Sequence, residues 1–192
     1  MRIDLPGTSF ALLGETSPIT DAALAALNEG GGRLITDPRV TDILLVACPL
    51  VAGDAEIDRR ALMRDTRDIA AQMTARGHGR ILFLLPALAA LPMRRHPDQS
   101  AEMAALLAFM RGLTMEFAPN ILVNAVGFGP IAGETMVAGD PAQFTHIPQG
   151  RPGTLAEAVA AVLFFCDPLN TYTTGQMLAV DGGWSAGYGR NF

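Results

Sequence analysis

The chain is poor in cysteine, in clustered cations and in unbroken apolar sequence, and each shortage excludes a class of protein. Its two cysteines, Cys48 and Cys166, lie in apolar contexts without metal-ligand spacing, so they read as buried thiols, not as a disulfide, a metal site or a nucleophile. No basic stripe exists to neutralise phosphates. Arg94, Arg95 and His96 form only a small cationic cluster, and no nucleic-acid partner is expected. The longest apolar run, residues 81–93, is broken by Pro86 and Pro92 and is too short to span a bilayer, so no membrane partner is expected either. The opening MRIDLPG puts an acid and a proline where a secretory signal needs its apolar region, which points to a cytoplasmic protein.

What is present suits one well-cored domain: 192 residues, 49% hydrophobic, kept soluble by a net charge of −5, with no internal repeat or linker. Its most informative stretch is 99–130. A helix over 101–117 carries Met103, Leu106, Leu107, Met110, Leu113 and Phe117 at helical spacing, while Ala104, Ala105, Ala108 and Phe109 make its other side apolar too. Such a helix is expected to be covered twice, by the sheet and by a second element or subunit. After Ala118-Pro119-Asn120, the segment ILVNAV (121–126) is mostly apolar without alternation, as in a parallel strand buried on both faces, and a glycine turn follows at 127–130. Upstream, strands are expected at 10–13, 33–36, 42–47 and 79–85, with helices at 20–29 and 58–76. Strands alternating with helices imply an α/β fold. His78, just past the second helix, reads as a solvated residue favoured by the helix dipole.

Two segments carry a family resemblance. RGLTMEFAPNILVNAVGFGPI (111–131) resembles the run of the short-chain dehydrogenase/reductases from the catalytic helix through the L-A-P-x-x-I-x-V-N-x-V-x-P-G strand and turn. IPQGRPGTLAEAVAAVLFFCDPLNTYTTGQMLAVDGGW (147–184) resembles that family's C-terminal helix and last strand, with its G-R-x-G-x-x-x-E, T-G-Q and V-D-G-G signatures. The resemblance implies a Rossmann-like doubly wound parallel sheet, an NAD(P) cofactor, and tetramers packed through the long helices and through the C-terminal helix with the last strand.

The same resemblance exposes departures. The family's T-G-x-x-x-G-x-G falls on Leu13, Gly14, Pro18 and Thr20; only Gly14 is kept, and Pro18 removes a donor where bare backbone should meet pyrophosphate. Asp37 stands where an acid can bind the adenosine ribose, but Asp before Pro also signals a turn, the reading preferred here. Only residues 38–41 separate it from the next strand, so about one β-α unit is expected to be missing, and VACP replaces the family's N-N-A-G. The family's catalytic serine falls on Pro86, its tyrosine on Gln99, its lysine on Met103 and its asparagine near Asp58. Neither Tyr172 nor Tyr188 has a lysine four residues on. His96 beside Arg94 and Arg95 is a substitute acid to be considered. His146 lies in a connection shorter than the family's usual substrate lid.

These readings combine into an expectation: a non-catalytic subunit without cofactor or metal of its own, assembled in a hetero-oligomer, as a tetramer, with an active dehydrogenase that carries NAD(P). Its interface is expected at Leu106, Phe109, Met110, Leu113, Phe165, Met177, Trp184 and Tyr188. The alternatives are a divergent oxidoreductase using His96 or Asp58, and a homo-oligomeric protein that binds a small ligand.

Overall fold

The computed structural model describes residues 3–49, 58–92, 97–133 and 147–186. In chain order the elements are β1 (Ser9–Gly14), α1 (Pro18–Glu29), β2 (Arg33–Leu34), β3 (Ile43–Ala47), α2 (Arg59–Arg76), β4 (Gly79–Pro86), α3 (Pro97–Phe117), β5 (Ile121–Phe128), α4 (Leu155–Cys166) and β6 (Met177–Val180). The strands form one parallel sheet in the order β2-β1-β3-β4-β5-β6. Helices cover both faces, so the doubly wound architecture is as expected.

Alternate residues of each central strand go to opposite faces and both sets are buried. Leu44, Val46, Ile81, Phe83, Leu85, Val123 and Ala125 pack under α2 and α3. Ile43, Leu45, Leu82, Leu84, Val126 and Phe128 pack under α1 and α4. This is why the strands read as continuous apolar runs. Cys48 and Cys166 are unpaired and buried as expected, and burial pushes each thiol up to about 12.

Several boundaries differ from the sequence reading. α1 begins at Pro18, not at residue 20, because proline fits the first helical position behind the Ser17 cap. α3 begins at Pro97, which draws Gln99 into its first turn, and β2 keeps only two residues. Between β2 and β3 a single 3-10 turn, Pro38–Val40, replaces a β-α unit, leaving β2 as the edge strand. The turn is clamped from α2: Arg76 donates to the carbonyls of Arg39 at 2.7 Å and Thr41 at 2.6 Å.

The amino ends of β1 and β3 are tied by Asp42, whose Oδ2 accepts from the backbone N–H and the hydroxyl of Ser9, each at 2.7 Å. Its Oδ1 lies 3.0 Å from His78 Nε2. Burial works against the ionised form of Asp42, but the Ser9 and His78 contacts outweigh it and hold the carboxyl below its usual range. His78 is largely exposed, as the sequence suggested, and Asp42 is the partner that the sequence could not supply.

The G-R-x-G-x-x-x-E signature proves to be a helix cap. Thr154 and Glu157 form a reciprocal capping box at the start of α4, and Arg151 grips both Glu157 carboxylate oxygens at 3.0 and 2.6 Å. The Arg151 hydrogen bonds, then those from Thr154, lower the Glu157 carboxyl to about 2. The folded pKa lies below the unfolded one, so this contribution to stability is present above the ordinary glutamate range and is lost as pH falls through about 2. Carboxyl NMR titration should place the Glu157 midpoint near 2, and Arg151→Ala should move it upward.

Asn124, buried in β5, donates from Nδ2 to the Thr173 carbonyl at 2.8 Å and accepts from the Gln176 N–H at 3.0 Å, fastening the approach to β6. Asn124→Ala should therefore cost about 2–3 kcal/mol, read as a melting temperature about 4–10 °C lower.

Candidate functional site

In open α/β sheets, ligands bind beyond the carboxyl ends of the strands, where the strand order reverses. Here that point lies between β1 and β3. Gly14 ends β1 at φ +108°, paired with Ala47, and a side chain at this position would overlap the Ala47 carbonyl oxygen. Close approach to β3 is thus sufficient reason for glycine at 14. The next residue, Glu15, donates its N–H to the Ala47 carbonyl at 3.4 Å.

The first turn of α1 is held by its own side chains. Ser17 N–H donates to Thr20 Oγ1 at 2.6 Å, Thr20 N–H donates to Ser17 Oγ at 3.3 Å, and Thr20 Oγ1 donates to the Ser17 carbonyl at 2.8 Å. Pro18 has no N–H to offer. Asp37 accepts from Arg39 N–H at 3.0 Å and caps the 3-10 turn, in agreement with the preferred reading of Asp37-Pro38. Beside it a cavity of about 390 Å³ is bordered by Leu13, Thr36, Arg39 and the carboxylates of Asp37, Asp65 and Asp68.

Pro86 is the buried last residue of β4, and the 3-10 turn that follows it, Ala87–Ala89, packs against α3. Gln99 is half-buried in the first turn of α3, and Met103, one turn on, is in the core at 3% exposure. Asp58 caps α2, accepting from Ala61 N–H at 3.0 Å. An ion pair that sequence reasoning missed, Arg59 to Glu102 at 2.7 Å, joins the starts of α2 and α3 in this region. No sequence signal marks that pair, because the partners are distant along the chain. Arg94, Arg95, His96, His146 and Tyr188 lie outside the described residues.

A second cavity, about 540 Å³, opens at the amino ends of the strands, bordered by Thr8, Asp42, His78, Arg80, Asn120 and Thr171. Arg80 spends its guanidinium on carbonyls at the end of α4 and beyond, those of Phe165, Pro168 and Asn170. Tyr172, next to Thr171, is fully exposed at this end, remote from Gln99 and Met103. No helix among the described residues is long and apolar enough to cross a membrane. No metal-ligating cluster occurs among them either.

Residues 55–185 match the family model described as enoyl-(acyl carrier protein) reductase. The chain belongs to the short-chain dehydrogenase/reductase family. It is 32% identical over 133 residues to nodulation protein G of Rhizobium meliloti strain 1021, covering 67% of this chain and 54% of that protein. It is 38% identical over 91 residues to the 3-oxoacyl-[acyl-carrier-protein] reductase FabG of Aquifex aeolicus, covering 45% and 37%. The chain thus spans about half the length, or less, of these curated relatives. The crystal structure of a 3-oxoacyl-[acyl-carrier protein] reductase from Brucella melitensis superposes with a TM-score of 0.77 at 20% identity, covering 95% of this chain and 92% of that one, and shows the common fold.

Several of the residues expected at an interface lie within this chain's own packing. Leu106, Met110, Leu113 and Phe165 are buried in the chain's own core, because the side of α3 with the larger side chains faces the sheet. Phe109 is partly buried, edge-on to Phe83 with ring centroids 6.2 Å apart. Met177 packs over Gly127, and Trp184 packs on the core from a turn held by Asp181. The outward side of α3 carries Ala101, Ala104, Ala105, Ala108, Gly112 and Met115, flanked by the exposed charged residues Glu102, Arg111 and Glu116.

If Gly14 serves strand packing, Gly14→Ala should destabilise the nucleotide-free protein by about 2 kcal/mol or more, since φ is positive and the added methyl meets backbone. Denaturant unfolding without nucleotide is the measurement.

Proposed function

We propose that this chain is a non-catalytic subunit of the short-chain dehydrogenase/reductase family that assembles with an active NAD(P)-dependent dehydrogenase and supports it. The observation that carries this reading is compositional: all fourteen basic residues are arginine, so no lysine exists to occupy the family's Y-x-x-x-K motif at any register. Proton transfer to or from a substrate oxygen needs a group whose pKa can be brought near the working pH. Gln99 has no titratable proton, Pro86 has no hydroxyl, and Met103 is an uncharged side chain inside the core. NAD(P), on this reading, belongs to the partner subunit.

The assembly half of the proposal is supported by what remains uncovered. Ala101, Ala104, Ala105, Ala108 and Gly112 form a shallow outward side of α3 that lets another helix approach closely, and Met115 extends it. Phe164 on α4 and Leu178 on the edge strand β6 are also exposed. The competing reading, a divergent reductase, is favoured by the similarity to the 3-oxoacyl-[acyl-carrier-protein] reductase of Aquifex aeolicus.

Two experiments decide between them. Restoring Pro86→Ser, Gln99→Tyr and Met103→Lys together should give no dehydrogenase turnover. The new lysine would have to be desolvated at a 3%-exposed core position, and hydride transfer needs donor and acceptor held about 3–3.5 Å apart. Turnover in the triple variant would show a nucleotide site more intact than this reading holds, and turnover in wild type supports the divergent enzyme. Purification from the native host should recover the chain with a dehydrogenase possessing an intact Y-x-x-x-K motif, and Ala108→Glu should release that partner while leaving the melting temperature within about 2 °C of wild type. A monodisperse wild-type monomer refutes assembly.

A further inference from the structure

We infer that the start of α1 is closed against phosphate by its own side chains, so that the chain excludes NAD(P) physically at the crevice between β1 and β3. This deepens the non-catalytic reading of the same site, since missing catalytic groups would stop the chemistry without stopping a dinucleotide from binding.

A helix N-terminus attracts phosphate because its first N–H groups have no partner within the helix and the helix dipole adds positive potential there. At α1 this provision is used internally. The first position is Pro18, which has no N–H, and its ring occupies the surface that bare backbone would have to present. The Thr20 N–H is taken by Ser17 Oγ at 3.3 Å, and the Ser17 N–H by Thr20 Oγ1 at 2.6 Å. The two hydroxyls supply to these amides the oxygens that a pyrophosphate would otherwise bring. Thr20 is 2% exposed, so its side chain is locked in the packed first turn and does not swing aside at low cost.

Charge reinforces the closure. Glu15 leaves β1 tied to Ala47, and at Cys48 burial outweighs the Arg59 cation, with the Glu15 carboxylate adding to the upward push on the thiol. Farther along the crevice, Asp37, Asp65 and Asp68 border the 390 Å³ cavity, and Arg39 is the one cation among the described residues on its wall. Asp37 also has Oδ1 committed to the Arg39 N–H and is thereby turned toward the 3-10 turn. A nucleotide bearing two or three phosphates would meet donors already in use and a wall of like charge.

The test is calorimetry and thermal unfolding of the full chain with NAD, NADH, NADP and NADPH at 1 mM, with turnover assayed in the same samples. The expected result is no heat of binding and an unchanged melting temperature. A Kd of about 10 µM would instead raise the melting temperature by about 5–10 °C, and that would overturn the inference. Binding without turnover sinks the inference and leaves the non-catalytic reading standing; turnover sinks both. A second arm uses inorganic pyrophosphate on wild type and on the combined Ser17→Gly, Pro18→Gly, Thr20→Gly variant. The variant should melt lower because it has lost its cap, and should then be stabilised by pyrophosphate by about 2 °C or more while wild type is not. An equal response of the two proteins shows that the cap is not what excludes phosphate; if the variant fails to fold, the wild-type calorimetry decides alone.

Discussion

A sheet whose two faces must both stay dry is the constraint on which this structure depends. Every central strand sends one set of residues under α2 and α3 and the alternate set under α1 and α4, so neither helix layer can be removed without exposing half of each strand. Burial of this kind is worth roughly 25 cal/mol per Å² of apolar surface, and it accumulates along β3, β4 and β5, whose side chains are almost all below a few per cent exposure. Among the described residues, buried polar side chains such as Ser9, Thr41 and Thr66 are paired, while Arg59 Nε and Thr74 Oγ1 are buried atoms without a partner. Asn124 is the clearest paired case, spending its amide on the segment that leads into β6.

That constraint also explains which parts of the chain were legible in its sequence. Strands buried on both sides lose alternation and appear as short apolar runs, so β3, β4 and β5 could be placed closely. The two long matching segments carry turn and cap chemistry as well as apolar pattern; Arg151, Thr154 and Glu157 show that one of those signatures is a local hydrogen-bonded cap. Pro86, Gln99 and Met103 rest on motif spacing along one strand and one helix, which needs no knowledge of packing.

Other features were not legible because they depend on which of two similar surfaces turns inward. α3 is apolar on both sides, and its spacing alone assigned Leu106, Met110 and Leu113 to an interface when they belong to the core. The physical discriminator is size: larger side chains fill the space above the sheet, and the alanines and Gly112 are left outside. The Asp42–His78 and Arg59–Glu102 contacts were hidden for a related reason, because each joins residues separated by tens of positions.

The short turn between β2 and β3 has a consequence for how this fold tolerates change. The start of β3 is fixed from outside the turn, by Asp42 on Ser9 and by Arg76 on the carbonyl of Thr41, while β2 is already aligned through Phe10 and Leu34. The register of the sheet is therefore set on either side of residues 38–40 and does not depend on how many residues join them. This makes the turn a splice point: chain can be removed or grafted there at the sheet's edge while the four inner strands keep their neighbours.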